Sequence, residues 1–308
     1  MTAAGGVAAA VQVVGGVVLA PLLPGLVQHW KARLQGRRGP TPLQPYRELR
    51  RLWGKSVIDV EDTTLVYRAA PAVAAAAAFA AVLLVPVAAG APNLGLGHDL
   101  LALAGLLALV RLVVTLAAWD VANGFSLMGA SRDLTIAVFV EATLLLSLAV
   151  AALFAGTTDL AVVIGATAGS APWESPALPL AAVAFALVAV AETGRQPIDN
   201  PDTHLELTMI HEGPLLEYGG RDLAMLHWVA AARHWLVLVL AAQVFLPHLT
   251  SAWGQLALLP ALLVAGCAGL ALAETLVAKM RILLAPRLLG AGAAIALLGV
   301  AAWLAEST

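Results

Sequence analysis

Eight stretches of this chain are apolar for long enough to cross a lipid bilayer, at roughly 4–27, 69–90, 99–119, 134–156, 177–193, 223–247, 252–278 and 287–304. A spanning helix needs about 20 apolar residues. Inside lipid the backbone must satisfy its own hydrogen bonds, so such segments fold as helices. The expectation is an all-α, polytopic integral membrane protein, with residues 1–308 forming a single transmembrane domain of about eight helices. Composition agrees: 61% of residues are hydrophobic and only 12% are charged, against about 25% charged in soluble domains. The fifth span has the least distinct start, because Pro172, Pro176 and Pro179 interrupt it. The first run, Thr2 to Val27, has no basic residues before it and is longer than a signal peptide, so it reads as a retained helix.

Basic residues set the expected orientation. Of the 17 Lys and Arg, nine fall between the first two spans, in the loop 28–68. Arg132 follows the third span, Arg195 and Arg221 follow the fifth, and Lys279, Arg281 and Arg287 follow the seventh. The alternate loops (90–98, 157–176 and 248–251) and both tails carry none. The chain is therefore expected in the cell inner (plasma) membrane as a multi-pass protein, with the long loops cytoplasmic and both termini outside. Within 28–68, Tyr46 to Lys55 places Leu49, Leu52 and Trp53 at helical spacing beside Arg47, Arg50 and Arg51. That pattern reads as an amphipathic helix on the membrane surface.

Ionisable residues inside spans are costly and are functional candidates by default. Here they are Arg111 in span three, Glu141 in span four, Glu192 at the end of span five, Arg233 in span six and Glu274 near the end of span seven. An apolar medium disfavours a charged carboxylate, which makes Glu141 a candidate to take up and release a proton. The competing reading is a static Glu–Arg pair that ties helices together. A second concentration of acid lies in the loop 191–222. It holds Glu192, Asp199, Asp202, Glu206, Glu212, Glu217 and Asp222 against two fixed cations, Arg195 and Arg221. If 202–211 is helical, Asp202 and Glu206 share one side and Leu205, Thr208 and Met209 fall on another. Carboxylates gathered in this way can share protons in a chain; a solvated acidic loop is the plainer alternative.

Other chemistry is poorly represented. The sequence HLELTMIHE lacks the spacing that places two imidazoles one turn apart on zinc. The single cysteine, Cys267, cannot hold an iron–sulfur cluster. No phosphate loop, dinucleotide fingerprint or nucleophile elbow appears, and no basic–aromatic patch suggests nucleic acid. A quinone-type pocket is physically possible near Trp53, Met209 and His211. The chain is expected to carry no metal or cofactor and no catalytic residue of its own.

Three blocks carry a family resemblance. The stretch ETGRQPIDNPDTHLELTMIHEGPLLEYGGRDLAM resembles the signature loop of the membrane subunit shared by respiratory complex I, as its subunit 1, and group 4 membrane-bound nickel–iron hydrogenases. WDVANGFSLMGASRDLTIAVFVEATLLLSLA, Trp119 to Ala149, matches the family pattern of a turn followed by a Glu-bearing helix through Ser126, Gly129, Ala130, Arg132 and Glu141. AETLVAKMRILLAPRLLG, Ala273 to Gly290, is the third block. The wording NPDTHLELTMIHE is similar to the formate hydrogenlyase subunit 4 type. Gly194 and Ile198 stand where the quinone-reducing branch typically has Asn and Phe.

The resemblance implies a subunit that anchors a hydrophilic redox arm beside antiporter-like membrane subunits. The arm would hold a [NiFe] centre in its large subunit and iron–sulfur clusters in its small subunits. Glu192, Asp199, Asp202, Glu206, Glu212 and Glu217 would couple redox chemistry to proton or Na⁺ movement. Arg132 and Arg195 would bias their protonation, Arg111 and Arg233 would tune the charge, and Glu141 and Glu274 would continue the path in the membrane. Two alternatives stay open: the quinone-binding subunit 1 of a respiratory complex I, and a purely structural anchor whose loop acids can be neutralised without loss of activity.

Overall fold

The computed structural model describes residues 3–89, 91–92, 94, 96–199, 210–246 and 248–307. Eleven α-helices run through the described residues. They are α1 (Ala3–Val14), α2 (Leu22–Leu34), α3 (Gln44–Trp53), α4 (Leu65–Leu84), α5 (Leu100–Val121), α6 (Gly124–Ala155), α7 (Leu160–Ala166), α8 (Ala177–Glu192), α9 (Gly220–Val244), α10 (Ala252–Leu276) and α11 (Ala285–Ser307). Six of them, α4, α5, α6, α9, α10 and α11, are long and apolar enough to cross a bilayer. The segment Ala3–Leu19 with α2 makes a seventh span if the pair, bent by 57°, is counted as one. The chain is an all-α polytopic membrane protein, but the expected eight full-length spans become six or seven. The eighth candidate, α8, has only 16 residues.

The first span differs most from expectation. It is not one helix over 4–27. A π-helical turn (Gly15–Leu19) and Pro21 break it, and helix resumes to Leu34, so residues 28–34 are helical rather than loop. Pro21 has no N–H to offer the Val17 carbonyl four residues before it. The indole Nε1–H of Trp228 on α9 donates to that carbonyl at 3.0 Å. The Tyr46 hydroxyl on α3 donates to the next one, Val18, at 2.6 Å. The break is thus closed by side chains from two other helices, as buried backbone requires.

Span four also differs. It starts at Gly124 rather than near 134 and runs 32 residues. Ala122, in the left-handed region at φ 55°, turns the chain after α5, and Asn123 caps α6 by accepting from the Phe125 N–H. Arg132 therefore lies within α6, not in a loop. The expected surface helix is present as α3. Leu52 is buried, while Arg47, Arg50 and Arg51 are at least partly exposed, and Trp53 is exposed.

Polar caps fix several other starts: Thr64 for α4, Asp99 for α5, Asp159 for α7 and Ser251 for α10. Helix α9 is the centre of the bundle, two-thirds buried over its spanning window and packed against α3, α4, α8 and α10. Helices α6, α8 and α11 pack on one another, and α10 packs on α2. The connections divide between the two ends of the bundle. At one end Thr64 donates to Asp120, Tyr67 Oη donates to the Glu217 carbonyl, and Met280 N–H donates to the Pro197 carbonyl. At the other, Leu160 N–H donates to the His98 carbonyl and Gly169 N–H to the His248 carbonyl.

Candidate functional site

A cavity of about 570 Å³ opens between α2, α3, α5, α9 and the segment that follows α8. Its lining includes the apolar side chains of Pro21, Pro24, Pro45, Leu49, Leu226 and Val229. It also includes a charged group, Arg111, Asp133, Glu192, Asp199, His211 and Arg233. Arg111 organises that group from α5, with a side chain only 4% exposed. It donates from Nη1 to Glu141 on α6 at 3.0 Å and from Nη2 to Glu192 at the end of α8 at 2.8 Å. Its Nε stands 3.6 Å from Asp133, also on α6. Arg233 of α9 donates to the other oxygen of Glu192. One enclosed carboxylate is therefore clamped by two guanidinium groups from two helices. Burying such charges is tolerable only with this degree of pairing.

A second group lies beside it. Glu274 on α10 receives Arg195 at 3.3 Å and Lys31 of α2 at 3.4 Å, and all three side chains are at most 5% exposed. Between the groups, Asp199 faces Lys279 at 3.5 Å and accepts hydrogen bonds from the backbone N–H of His211 at 3.2 Å and its ring Nδ1 at 3.0 Å. The other ring nitrogen, Nε2, stands 3.7 Å from Asp133. Burial works against a charged His211 ring. The Asp199 hydrogen bond and the charges of Asp133 and Asp199 outweigh it, against the opposing charge of Arg233, and hold the imidazole above its ordinary value.

Local backbone explains how the loop reaches the helices. Gly213 in the turn Gly213–Leu215 rests directly on Gly129 of α6; a Cβ on Gly129 would stand 2.8 Å from the Gly213 Cα. Gly194 ends α8 at φ 62°, and a Cβ there would meet His211 Nδ1 at 3.3 Å. Asn, the residue of the quinone-reducing pattern, also tolerates that left-handed conformation, so the turn itself does not separate the two branches.

Of the residues expected from sequence, Arg111, Glu141, Glu192 and Arg233 meet in one cluster, and Arg195 meets Glu274 in the other. Asp199 links to the first cluster through His211, and Glu212 lines the cavity. Glu217 lies outside the lining, where it accepts from Asn123 Nδ2 at the start of α6. Arg132 also lies outside the lining, one residue before Asp133. Asp202 and Glu206 fall outside the described residues. Four members of the charged clusters were not anticipated there: Asp133, Lys31, Lys279 and His211, which the sequence suggested only for a quinone pocket. Asp133 was hidden by reading its segment as loop, and Lys31 by counting it among the loop cations. Among the described residues, no three His, Cys, Asp or Glu side chains gather as a metal site, and Cys267 is buried.

Buried acid–base clusters joined to a loop at one end of an apolar bundle define a class of charge-bearing membrane subunit rather than a soluble enzyme. Residues 7–303 match the family model described as NADH dehydrogenase, and the chain belongs to this family. It is 34% identical to formate hydrogenlyase subunit 4 of Escherichia coli (strain K12) over 300 residues, 93% of this chain and 95% of that one. It is 33% identical to hydrogenase-4 component C of the same organism, covering 75% of this chain and 72% of that one. An NADH-quinone oxidoreductase subunit of Salinibacter ruber (strain DSM 13855 / M31) is 28% identical, over 63% of this chain and 58% of that one. Of these three relatives, the two hydrogenase-type chains are the more similar. The fold is that of a chain in the membrane-bound sulfane sulfur reductase, an archaeal respiratory membrane complex. The TM-score is 0.80 over 97% of this chain and 99% of that one, at 22% identity.

Proposed function

We propose that this chain is the membrane subunit of a complex I-like hydrogenase or formate hydrogenlyase. It anchors a hydrophilic arm of [NiFe] and iron–sulfur subunits beside antiporter-like membrane subunits, and it couples electron transfer in that arm to proton or Na⁺ movement. The observation that carries the coupling is the Glu192 clamp. Its two guanidinium groups connect the cavity, at the end of the bundle where the acidic loop lies, to Glu141 on α6. A change of charge at the cavity end is felt through Arg111 and Glu192, whose side chains are enclosed and little screened by water. Glu274, Arg195 and Lys31 carry the same kind of contact toward α10. The bias of Lys and Arg toward the loops at the cavity end supports a cytoplasmic position for it. Helix α8, at about 24 Å for its 16 residues, serves as the eighth span in a locally thin part of the bundle.

The test begins with purification from the native membrane in mild detergent. Hydrogenase and iron–sulfur subunits are expected to co-purify with hydrogen activity; NADH-oxidising subunits would move the assignment to complex I. In vesicles of the assembled complex, Glu141→Gln is expected to abolish turnover-linked ion movement. Unchanged ion movement would remove Glu141 from the path, and it would favour a structural anchor.

One observation favours the quinone reading as a second possibility. The cavity volume falls within the range of small-molecule pockets, and its lining holds both apolar and charged side chains. A response of turnover to added quinone would support it.

A further inference from the structure

The coupling reading leaves a gap. Loop acids and intramembrane acids sit in different elements, and a guanidinium group between them fixes charge but does not pass protons. The geometry points to His211 as the residue that closes it: we propose that its imidazole carries protons between Asp199 of the loop and Asp133 of α6.

Both ring nitrogens face carboxylates from different elements. Nδ1 is hydrogen-bonded to Asp199 at 3.0 Å, and Nε2 faces Asp133 Oδ1 at 3.7 Å. That Asp133 oxygen is buried and has no hydrogen-bond partner among the described residues. An orphaned acceptor aimed at a titratable nitrogen is an incomplete hydrogen bond that a small ring movement completes. The ring is 22% exposed and lines the cavity, so it meets water as well as the two acids.

Charge points the same way. Among the described residues the linked cluster has four carboxylates, Glu141, Glu192, Asp133 and Asp199, against three permanent cations, Arg111, Arg233 and Lys279. An imidazolium at His211 places a positive charge between Asp199 and Asp133. Among the described residues, the groups that face the ring are Asp199 and Gly194 from the segment after α8, Asp133 from α6 and Arg233 from α9.

The transfer balances without a co-reactant. Nδ1 of the neutral ring takes a proton from the Asp199 carboxyl group, an O–H bond breaking as an N–H bond forms, and the ring becomes the imidazolium. Its Nε2–H then gives its proton to the Asp133 carboxylate, an N–H bond breaking as an O–H bond forms, and the ring is neutral again with its proton on Nδ1. Exchange with water in the cavity, in which Nδ1–H gives up its proton and Nε2 takes one, restores the first tautomer. The reverse sequence carries protons outward.

This inference rests on the coupling reading, and its test separates the two. Assembled wild-type, His211→Gln and Glu141→Gln complexes are placed in sealed vesicles, and proton movement per redox turnover is followed against pH. His211 is held charged above the ordinary imidazole value. Wild-type transfer should therefore fall as pH rises through that raised value. His211→Gln keeps a polar side chain but cannot titrate. It should lower proton movement per turnover about tenfold or more and flatten the profile. A wild-type ratio and profile in His211→Gln, with movement lost in Glu141→Gln, would overturn the relay and leave the coupling intact. Wild-type behaviour in both variants would overturn both. If His211→Gln does not assemble, Asp199→Asn keeps the ring and a hydrogen-bond acceptor beside Nδ1 but removes the carboxyl group that supplies the proton. The same flattening is expected there, and an unaltered profile overturns the relay.

Discussion

The site depends on single residues whose importance lies in what they leave out. Gly129 and Gly213 meet backbone to backbone, so the loop can rest on α6 only where both lack a side chain. A Cβ on Gly129 would also stand 2.9 Å from Pro214 Cδ, against a rigid ring. Gly129→Ala is therefore expected to push the turn away from the helix and to destabilise the protein by about 1–3 kcal/mol, the usual cost of overpacking. Thermal unfolding of the purified protein in detergent checks this, with Gly124→Ala, which has open space around it, as the neutral control. The turn is two residues from His211, so the same displacement pulls the imidazole from Asp133. Both glycines were visible in the sequence as parts of separate blocks. Their mutual contact was not, because it exists only once the loop folds back over α6.

At the scale of the element, hydropathy predicted where apolar helix lies and misjudged where it stops. Span four was expected at 134 because SRD reads as polar loop, yet Asn123 caps a helix that carries Asp133 into the cluster. Asp133 in that first part of α6 faces partners rather than solvent, a distinction that composition cannot make. Span one was expected to be continuous because apolar content does not report hydrogen bonding. Its break is stable only while other helices supply donors. Trp228→Phe keeps most of the ring and removes the N–H that serves Val17. An abandoned buried carbonyl costs about 1–3 kcal/mol. The midpoint of thermal unfolding should fall accordingly, whereas Trp253→Phe, on the exposed side of α10, should change it little. If the two substitutions shift the midpoint equally, the indole hydrogen bond does not hold the break.

At the scale of the whole molecule, the alternation of loops with and without Lys and Arg was legible because it is a property of residue type alone, and the fold adds a geometric counterpart. Loops expected on one side bond to one another: His98 to Leu160 and Gly169 to His248 at one end, Thr64 to Asp120 and Pro197 to Met280 at the other. Which end faces the cytoplasm is decided by charge, through the bias of Lys and Arg toward that side. The prediction is open to direct chemical reading, because the single cysteine, Cys267, is fully buried and gives a quiet background. Arg38→Cys and Thr250→Cys place exposed thiols at opposite ends. A membrane-impermeant maleimide should label Arg38→Cys in inverted vesicles and Thr250→Cys in right-side-out ones. The count of spans enters the same experiment, since α8 is short and a chain that failed to cross there would put Thr250 on the side of Arg38. Labelling of both positions from one side would therefore remove α8 as a span, and with it the placement of Glu192 at the end of a crossing helix.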